Sequence, residues 1–319
     1  MWLPRFVCPE CHVDLDEAGD VRACVRCGRS YARENGVWQF LPSARGLRLE
    51  PFARQYRAVR DREGRVSASP EYYRRLPLVA SDDPHAGEWR IRRESYRHLL
   101  QHVLAAGPHP VQVLDLGAGT GWLSHRLSAL GHDAVALDAL DDETDGLGAT
   151  RHYPTEFAVV HADFNALPFA PGQFDLVVFN GSLHYATDTA ATLETAYRQL
   201  APGGVIAVMD SPMFRADRDG AAMVDDKMRH FMLECGLHQA VRQGLGYLTF
   251  ATLAAIAEKL DLRPQFLPSH GPPGWRLRRS LARIRLRRAP AAFGLWVARW
   301  SSSTTRCRRR RGNSRCRCR

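Results

Sequence analysis

From Val111 to Leu127 the sequence VQVLDLGAGTGWLSHRL changes its pattern twice. Val111, Val113, Leu114 and Leu116 form an apolar run that predicts a buried strand. Gly117, Gly119 and Gly121 follow, and a backbone without Cβ atoms there turns tightly and approaches a ligand. The helix predicted from Trp122 starts with unpaired N–H groups aimed at that ligand. Gly131 closes this helix, and Ala134 to Leu137 form a second apolar strand that ends on Asp138, where a carboxylate can accept two ribose hydroxyls. Ahead of the first strand, GEWRIRRESYRHLLQHVLAA reads as an amphipathic helix, and Ser43 to Arg65 as an arginine-rich surface helix and linker. A dinucleotide fingerprint needs its third glycine where this chain has Trp122, which disfavours NAD.

The loop DLGAGTG and the acid at Asp138 resemble those of the class I S-adenosylmethionine-dependent methyltransferases, of the methyltransferase type 11 kind. Later segments extend the resemblance in order. HADFNALPF matches the place where the family sets an acid near the adenine amine and an apolar neighbour against the ring. FDLVVFNGSLHYA resembles the fourth strand and the loop facing the transferred methyl, and RQLAPGGVIAVMD the helix, Pro-Gly-Gly turn and fifth strand. The segment after Asp210 falls where the family inserts substrate-recognition structure, GYLTFATLAAIAEKLDL looks like the next helix, and AFGLWVARW like the closing strand. The resemblance implies an α/β, Rossmann-like fold with a seven-stranded, mostly parallel sheet. It implies S-adenosyl-L-methionine as cofactor, held by Asp115, Gly117, Gly119, Gly121, Asp138, Asp163, Phe164 and Asn180. Residues ahead of the first strand often fold over the cofactor in this class, which makes Tyr72, Tyr73 and Arg90 candidate lid residues.

Cys8, Cys11, Cys24 and Cys27 stand as CPEC and CVRC with twelve residues between them. Each pair forms a knuckle able to present two thiolates to one tetrahedral zinc, and a segment this short holds no core without a metal. With the trailing CGRSYARENGVWQFLP it resembles the zinc ribbons of the Trm112-like family, partners of methyltransferases or fused to them. A closed four-cysteine site implies a structural zinc. The organisation expected is a zinc ribbon over 1–42, linker and lid helices over 43–87, a methyltransferase domain over 88–300 and a disordered Arg/Cys-rich tail over 301–319.

The net charge of +10 changes this picture little once it is located. Sixteen arginines and no acids lie from Arg276 to Arg319, leaving 28 basic against 34 acidic residues before them. The body is mildly acidic, and basic charge argues for a polyanion partner only where it adjoins the site. No apolar run approaches the ~20 residues of a spanning helix, and the N-terminus lacks a signal peptide's apolar centre, so a cytoplasmic protein without a membrane partner is expected.

Methyl transfer is an in-line displacement in which the protein aligns a nucleophile and sometimes removes its proton. Asn180, Ser182, His184 and Tyr185 follow the fourth strand near the expected methyl, with His184 the candidate general base and Tyr185 the second catalytic candidate. Asn180-Gly181 lacks the Asn-Pro-Pro-aromatic signature of base-amine methyltransferases. Three readings stand: methylation of a small molecule at oxygen, nitrogen or carbon; methylation of RNA or a protein factor gripped by the ribbon and tail; and a cofactor-binding scaffold without turnover. Oligomeric state is not encoded in these patterns.

Overall fold

The alternation of side chains along the 112–116 strand organises the molecule, because Leu114 and Leu116 point into one buried apolar layer and Val113 into another. The structure, a computed structural model, describes residues 2–67, 69–105, 107, 109–235 and 243–300; the expected tail lies outside these. In chain order the strands are β1 (Asp16–Ala18), β2 (Val21–Ala23), β3 (Ser30–Glu34) and β4 (Val37–Gln39). Three helices follow, α1 (Ser43–Arg62), α2 (Pro70–Arg75) and α3 (Ala86–Leu99). Next come β5 (Gln112–Leu116), α4 (Trp122–Ala129), β6 (Asp133–Asp138), β7 (Ala158–His161), β8 (Phe174–Asn180), α5 (Thr189–Gln199) and β9 (Leu200–Met209). The last third holds β10 (Met213–Phe214), α6 (Asp217–Cys235), β11 (Leu248–Thr249), α7 (Phe250–Lys259), β12 (Leu262–Pro268), α8 (Trp275–Leu286) and β13 (Gly294–Trp300).

The main sheet runs β1-β2-β3-β4-β7-β6-β5-β8-β9-β13-β12. Strands β7, β6, β5, β8 and β9 are parallel, and β13 enters antiparallel between β9 and β12. These are the seven mostly parallel strands expected, and the order reverses beside β5, so a crevice opens at the carboxyl ends of β5 and β8. The Pro202-Gly203-Gly204 segment is a bulge inside β9 rather than a turn before it: Phe174 opposes Leu200 while Leu176 opposes Val205.

The sheet is larger than seven strands because the N-terminal meander joins it. Val37, Trp38 and Gln39 pair in parallel with Val159, Val160 and His161. The Val7 N–H donates to the Pro168 carbonyl at 2.9 Å and the Ala170 N–H to the Arg5 carbonyl at 3.0 Å, adding a second seam. Phe6 stacks on Phe40 at 4.9 Å and meets Phe169 at 5.8 Å, so the aromatic residues of the ribbon merge with the layer under β7 and β8. An exposed edge strand offers unpaired backbone groups; β4 covers that edge of β7.

Helix α1 buries only Ala53 and Val59. It therefore packs on no large apolar face, and lies instead across the ligand-binding edge of the sheet, held by polar contacts described below.

Candidate functional site

The turn after β5 forms because Gly117, Gly119 and Gly121 all take positive φ, at 73°, 54° and 74°. A Cβ on Gly117 would lie 2.3 Å from the Ser182 Cβ, so this backbone presses against the loop after β8 in a way only glycine allows. The Gly119 N–H donates to Asp138 Oδ2 at 2.7 Å and the Leu140 N–H to Oδ1 at 2.9 Å. Burial pushes the Asp138 carboxyl up to about 6 against these hydrogen bonds.

A cavity of about 470 Å³ lies over this turn. It gathers Gly117, Gly119, Asp138, Asp163, Phe164, Asn180 and Tyr185 of the sequence-predicted site. Asn180 Oδ1 is buried without a partner, an arrangement that suits a ligand donor. Asp163 accepts a hydrogen bond from Arg45 Nη1 at 2.7 Å, and Phe164 meets Phe179 edge-on. Two members stand elsewhere. Gly121 caps α4 behind the wall, and Asp115 is fully buried beneath the turn, with Oδ2 bonded to Ser124 Oγ at 3.0 Å. Burial, with the charge of Asp138 adding, pushes Asp115 up to about 7, and its side chain is not among those lining the cavity. Of the lid candidates Tyr72 and Tyr73 line the cavity, whereas Arg90 is exposed and its neighbour two residues on, Arg92, takes the wall position.

The roof was not legible beforehand. Helix α1 contributes Arg45, Phe52, Tyr56 and Arg60. Arg60 grips Asp145, from the loop after β6, with two hydrogen bonds of 2.5 and 2.6 Å. Phe52 and Tyr56, spaced i and i+4 on one helix face, close around Tyr185 with ring centroids 5.6 and 6.1 Å away. That spacing was the only local signal.

Behind this aromatic trio lies a second chamber of about 670 Å³. Phe52, Tyr56, Arg60, Arg92, Gly181 and Tyr185 border both spaces. His184 borders only the second, with Nδ1 3.1 Å from Ser211 Oγ; burial, with the charges of Lys227 and Arg92, pushes its pKa down to about 3. The expected base is thus a neutral imidazole with little affinity for a proton. Asp210 shows the opposite behaviour. It sits at φ 53° just after β9, and its Oδ1 accepts from Ser95 Oγ at 2.6 Å while Oδ2 has no partner among the described residues. Burial pushes it up to about 6, with Ser95 and Arg92 holding it back. A residue in a sparsely populated backbone region with an unpaired carboxylate oxygen is a functional candidate that pattern reading missed. Arg92 lies 4.8 Å over the Trp89 ring, and neither it nor Lys227 makes an ion pair among the described residues.

The four cysteines Cys8, Cys11, Cys24 and Cys27 come together with all ligand atoms within 4.8 Å, and none forms a disulfide. Cys8 and Cys27 sulfurs are 3.8 Å apart, the separation of about 3.8 Å that two thiolates on a tetrahedral zinc require. The Cys11 N–H points at Cys8 Sγ, 3.4 Å away, as in a metal knuckle. Burial raises the Cys8 thiol, but hydrogen bonds from Tyr31 and backbone N–H groups outweigh it and leave the group below the ordinary thiol value. The donor set fits zinc in a closed site, and none of the four cysteines lines either cavity. No described helix is long and apolar enough to cross a membrane.

Comparison with known proteins follows the same lines. The methyltransferase domain family matches residues 114–208. The malonyl-[acyl-carrier protein] O-methyltransferase of Halorhodospira halophila is 29% identical over 221 residues, 64% of this chain and 74% of that protein. The ubiquinone/menaquinone biosynthesis C-methyltransferase UbiE of Shewanella frigidimarina is 34% identical over 126 residues, 38% of this chain and 49% of that one. The chain spans about half the length of most curated relatives it matches. Among solved structures, magnesium protoporphyrin IX methyltransferase from Synechocystis PCC 6803 with bound SAH is 16% identical at a TM-score of 0.47, covering 72% of this chain and 94% of that chain.

Proposed function

Because residues 114–208 match the methyltransferase domain family, we propose that the protein is an S-adenosylmethionine-dependent methyltransferase acting on a small anionic acceptor. One observation carries this reading: two cavities, one over the glycine turn and Asp138, the other beyond Tyr185, share a wall that includes Phe52, Tyr56, Arg92 and Tyr185. The first fits the cofactor. Asp138 borders the place for ribose hydroxyls, Phe164 the place for adenine, and the unpartnered Asn180 Oδ1 the methionine end. The cofactor, when bound, supplies an electrophilic methyl on a sulfonium.

This chain's own residues do the rest. Phe52, Tyr56 and Tyr185 exclude water from the boundary between the two spaces and confine the acceptor's approach. Arg92 and Lys227, which make no ion pair among the described residues, attract an acid or other anion into the second chamber. Asp210, poised at about 6, takes the proton from an attacking hydroxyl, amine or carbon that the acceptor carries beside its anionic group, in place of His184. A chamber of this size suits a small molecule or a carrier-borne group. The four-thiolate cluster is a structural zinc site in this reading and takes no part in chemistry.

The test is titration calorimetry with S-adenosylmethionine, followed by labelled-methyl transfer to a panel of small carboxylic acids and their neutral amides. Asp138→Ala is expected to weaken cofactor binding about tenfold or more with the fold retained. Unchanged affinity in that variant, or a preference for the amides, overturns the assignment.

A further inference from the structure

Helix α8 turns an apolar stripe away from the protein. Its inner side faces the second chamber: Trp275 and Arg279 border that space, Arg279 lies 4.2 Å over the Trp275 ring and donates to the Ala291 carbonyl. On the outer side Leu277, Leu281 and Ile284 follow the i, i+4, i+7 spacing and are 67%, 58% and 76% exposed, and no residue of α8 is buried. At 3.6 residues per turn, Arg276 and Arg283 fall on one flank of this stripe and Arg278 and Arg285 on the other, each roughly 80–120° away. No acidic residue follows Asp261 in the chain.

The placement of α8 adds to its composition. It joins the antiparallel strands β12 and β13 just beyond the Pro268–Gly294 pair, where the Asp210 N–H donates to the Gly294 carbonyl. It therefore stands above the carboxyl ends of the parallel strands, beside the chamber proposed for the acceptor. A convex apolar ridge between two rows of guanidinium groups matches a planar anionic layer, into which the ridge inserts while the arginines reach up to phosphates. A folded acidic partner would match the arginines but would need a groove for the ridge.

We propose that α8 docks the protein on an anionic lipid surface, with Leu277, Leu281 and Ile284 entering the headgroup–acyl boundary and the flanking arginines paired with lipid phosphates. This departs from the sequence expectation of no membrane partner, and it concerns a surface contact, not a span. The proposal stands apart from the methyltransferase reading, although the two together mean that an acceptor dissolved in lipid enters beside Trp275.

The experiment is cosedimentation of the full chain with vesicles of equimolar phosphatidylcholine and phosphatidylglycerol, against vesicles of phosphatidylcholine alone. Binding to the anionic vesicles is expected. The triple variant Leu277→Ser, Leu281→Ser, Ile284→Ser keeps every arginine of helix and tail, and is expected to bind about tenfold or more weakly. The pair Arg276→Gln, Arg283→Gln keeps the stripe, and is expected to bind more weakly with a flatter salt dependence. Circular dichroism reports the fold of each variant, and calorimetry with S-adenosylmethionine reports the cofactor site separately. The proposal is overturned if the native chain ignores anionic vesicles, or if the triple variant binds them as well as the native chain, which would assign binding to the arginine-rich tail. It is also overturned if the variants lose binding to a soluble acidic carrier protein but not to vesicles.

Discussion

Arg60 and Asp145 share two hydrogen bonds, Nε to Oδ2 at 2.5 Å and Nη2 to Oδ1 at 2.6 Å, across the top of the cavity over the glycine turn. The pair spans 85 residues of chain and joins α1 to the loop after β6. Both side chains are mostly shielded, at 19% and 4% exposure, so removing one partner leaves the other charge desolvated and alone. Arg60→Ala is expected to cost on the order of 3 kcal/mol in urea unfolding. The same variant loosens the roof, and calorimetry should show S-adenosylmethionine binding weakened roughly tenfold or more. Native affinity in Arg60→Ala would mean that α1 is a bystander.

The assignment of Asp210 over His184 makes opposite predictions for two variants. With Asp210 near 6, turnover should fall as pH drops below that value, because the carboxyl must be ionised to accept a proton. Asp210→Asn is expected to lower kcat about a hundredfold and to abolish that acid limb. His184, held near 3, carries no proton at working pH, so His184→Ala should keep the limb and lose little more than packing. An acid limb that disappears in His184→Ala and persists in Asp210→Asn would reverse the roles.

Asp115 offers a stability test independent of catalysis. Its folded-state pKa, about 7, lies above the ordinary carboxylate value, so the protonated form favours folding. That contribution is full below the unfolded value near 3.8 and is lost as pH rises through about 7. Asp115→Asn cannot ionise and keeps an oxygen for Ser124. It should therefore gain stability relative to the native protein between pH 4 and pH 8, by on the order of 3 kcal/mol, read from thermal melts at both ends. A constant difference across that range would disprove the assignment.

Zinc content supplies the fourth prediction. Purified protein should carry one zinc per chain by atomic absorption, and Cys24→Ser or prolonged chelation should lower the melting temperature. Loss of the metal without any change in melting would contradict a structural role, since such sites contribute on the order of 10 kcal/mol to small modules.

The parts of the site that could be read from sequence are those built within one stretch of chain. Gly117, Gly119 and Asp138 belong to consecutive elements, and the strand-turn-helix pattern around them places them together without tertiary knowledge. The cysteine knuckles are equally local. Arg45 and Asp163 are 118 positions apart, and nothing near either residue announces the other. The resemblance also sets Asp115 among the residues that hold the cofactor, whereas strand alternation turns it into the protein beneath the turn. Pairing of β4 with β7 is a third case. A three-residue strand carries no record of which edge it will meet.

That pairing makes the thiolate cluster and the methyltransferase sheet one cooperative body. Phe40 donates its N–H to the carbonyl of His161, and two residues later the chain reaches Asp163 on the cavity wall. A module attached by a flexible tether would melt by itself and leave the rest intact. Here the N-terminal meander is expected to melt with the sheet, and calorimetry should record a single transition in which collapse of the cysteine cluster and of the cavity coincide. Zinc added during expression is therefore expected to raise the fraction of protein that binds S-adenosylmethionine in calorimetry.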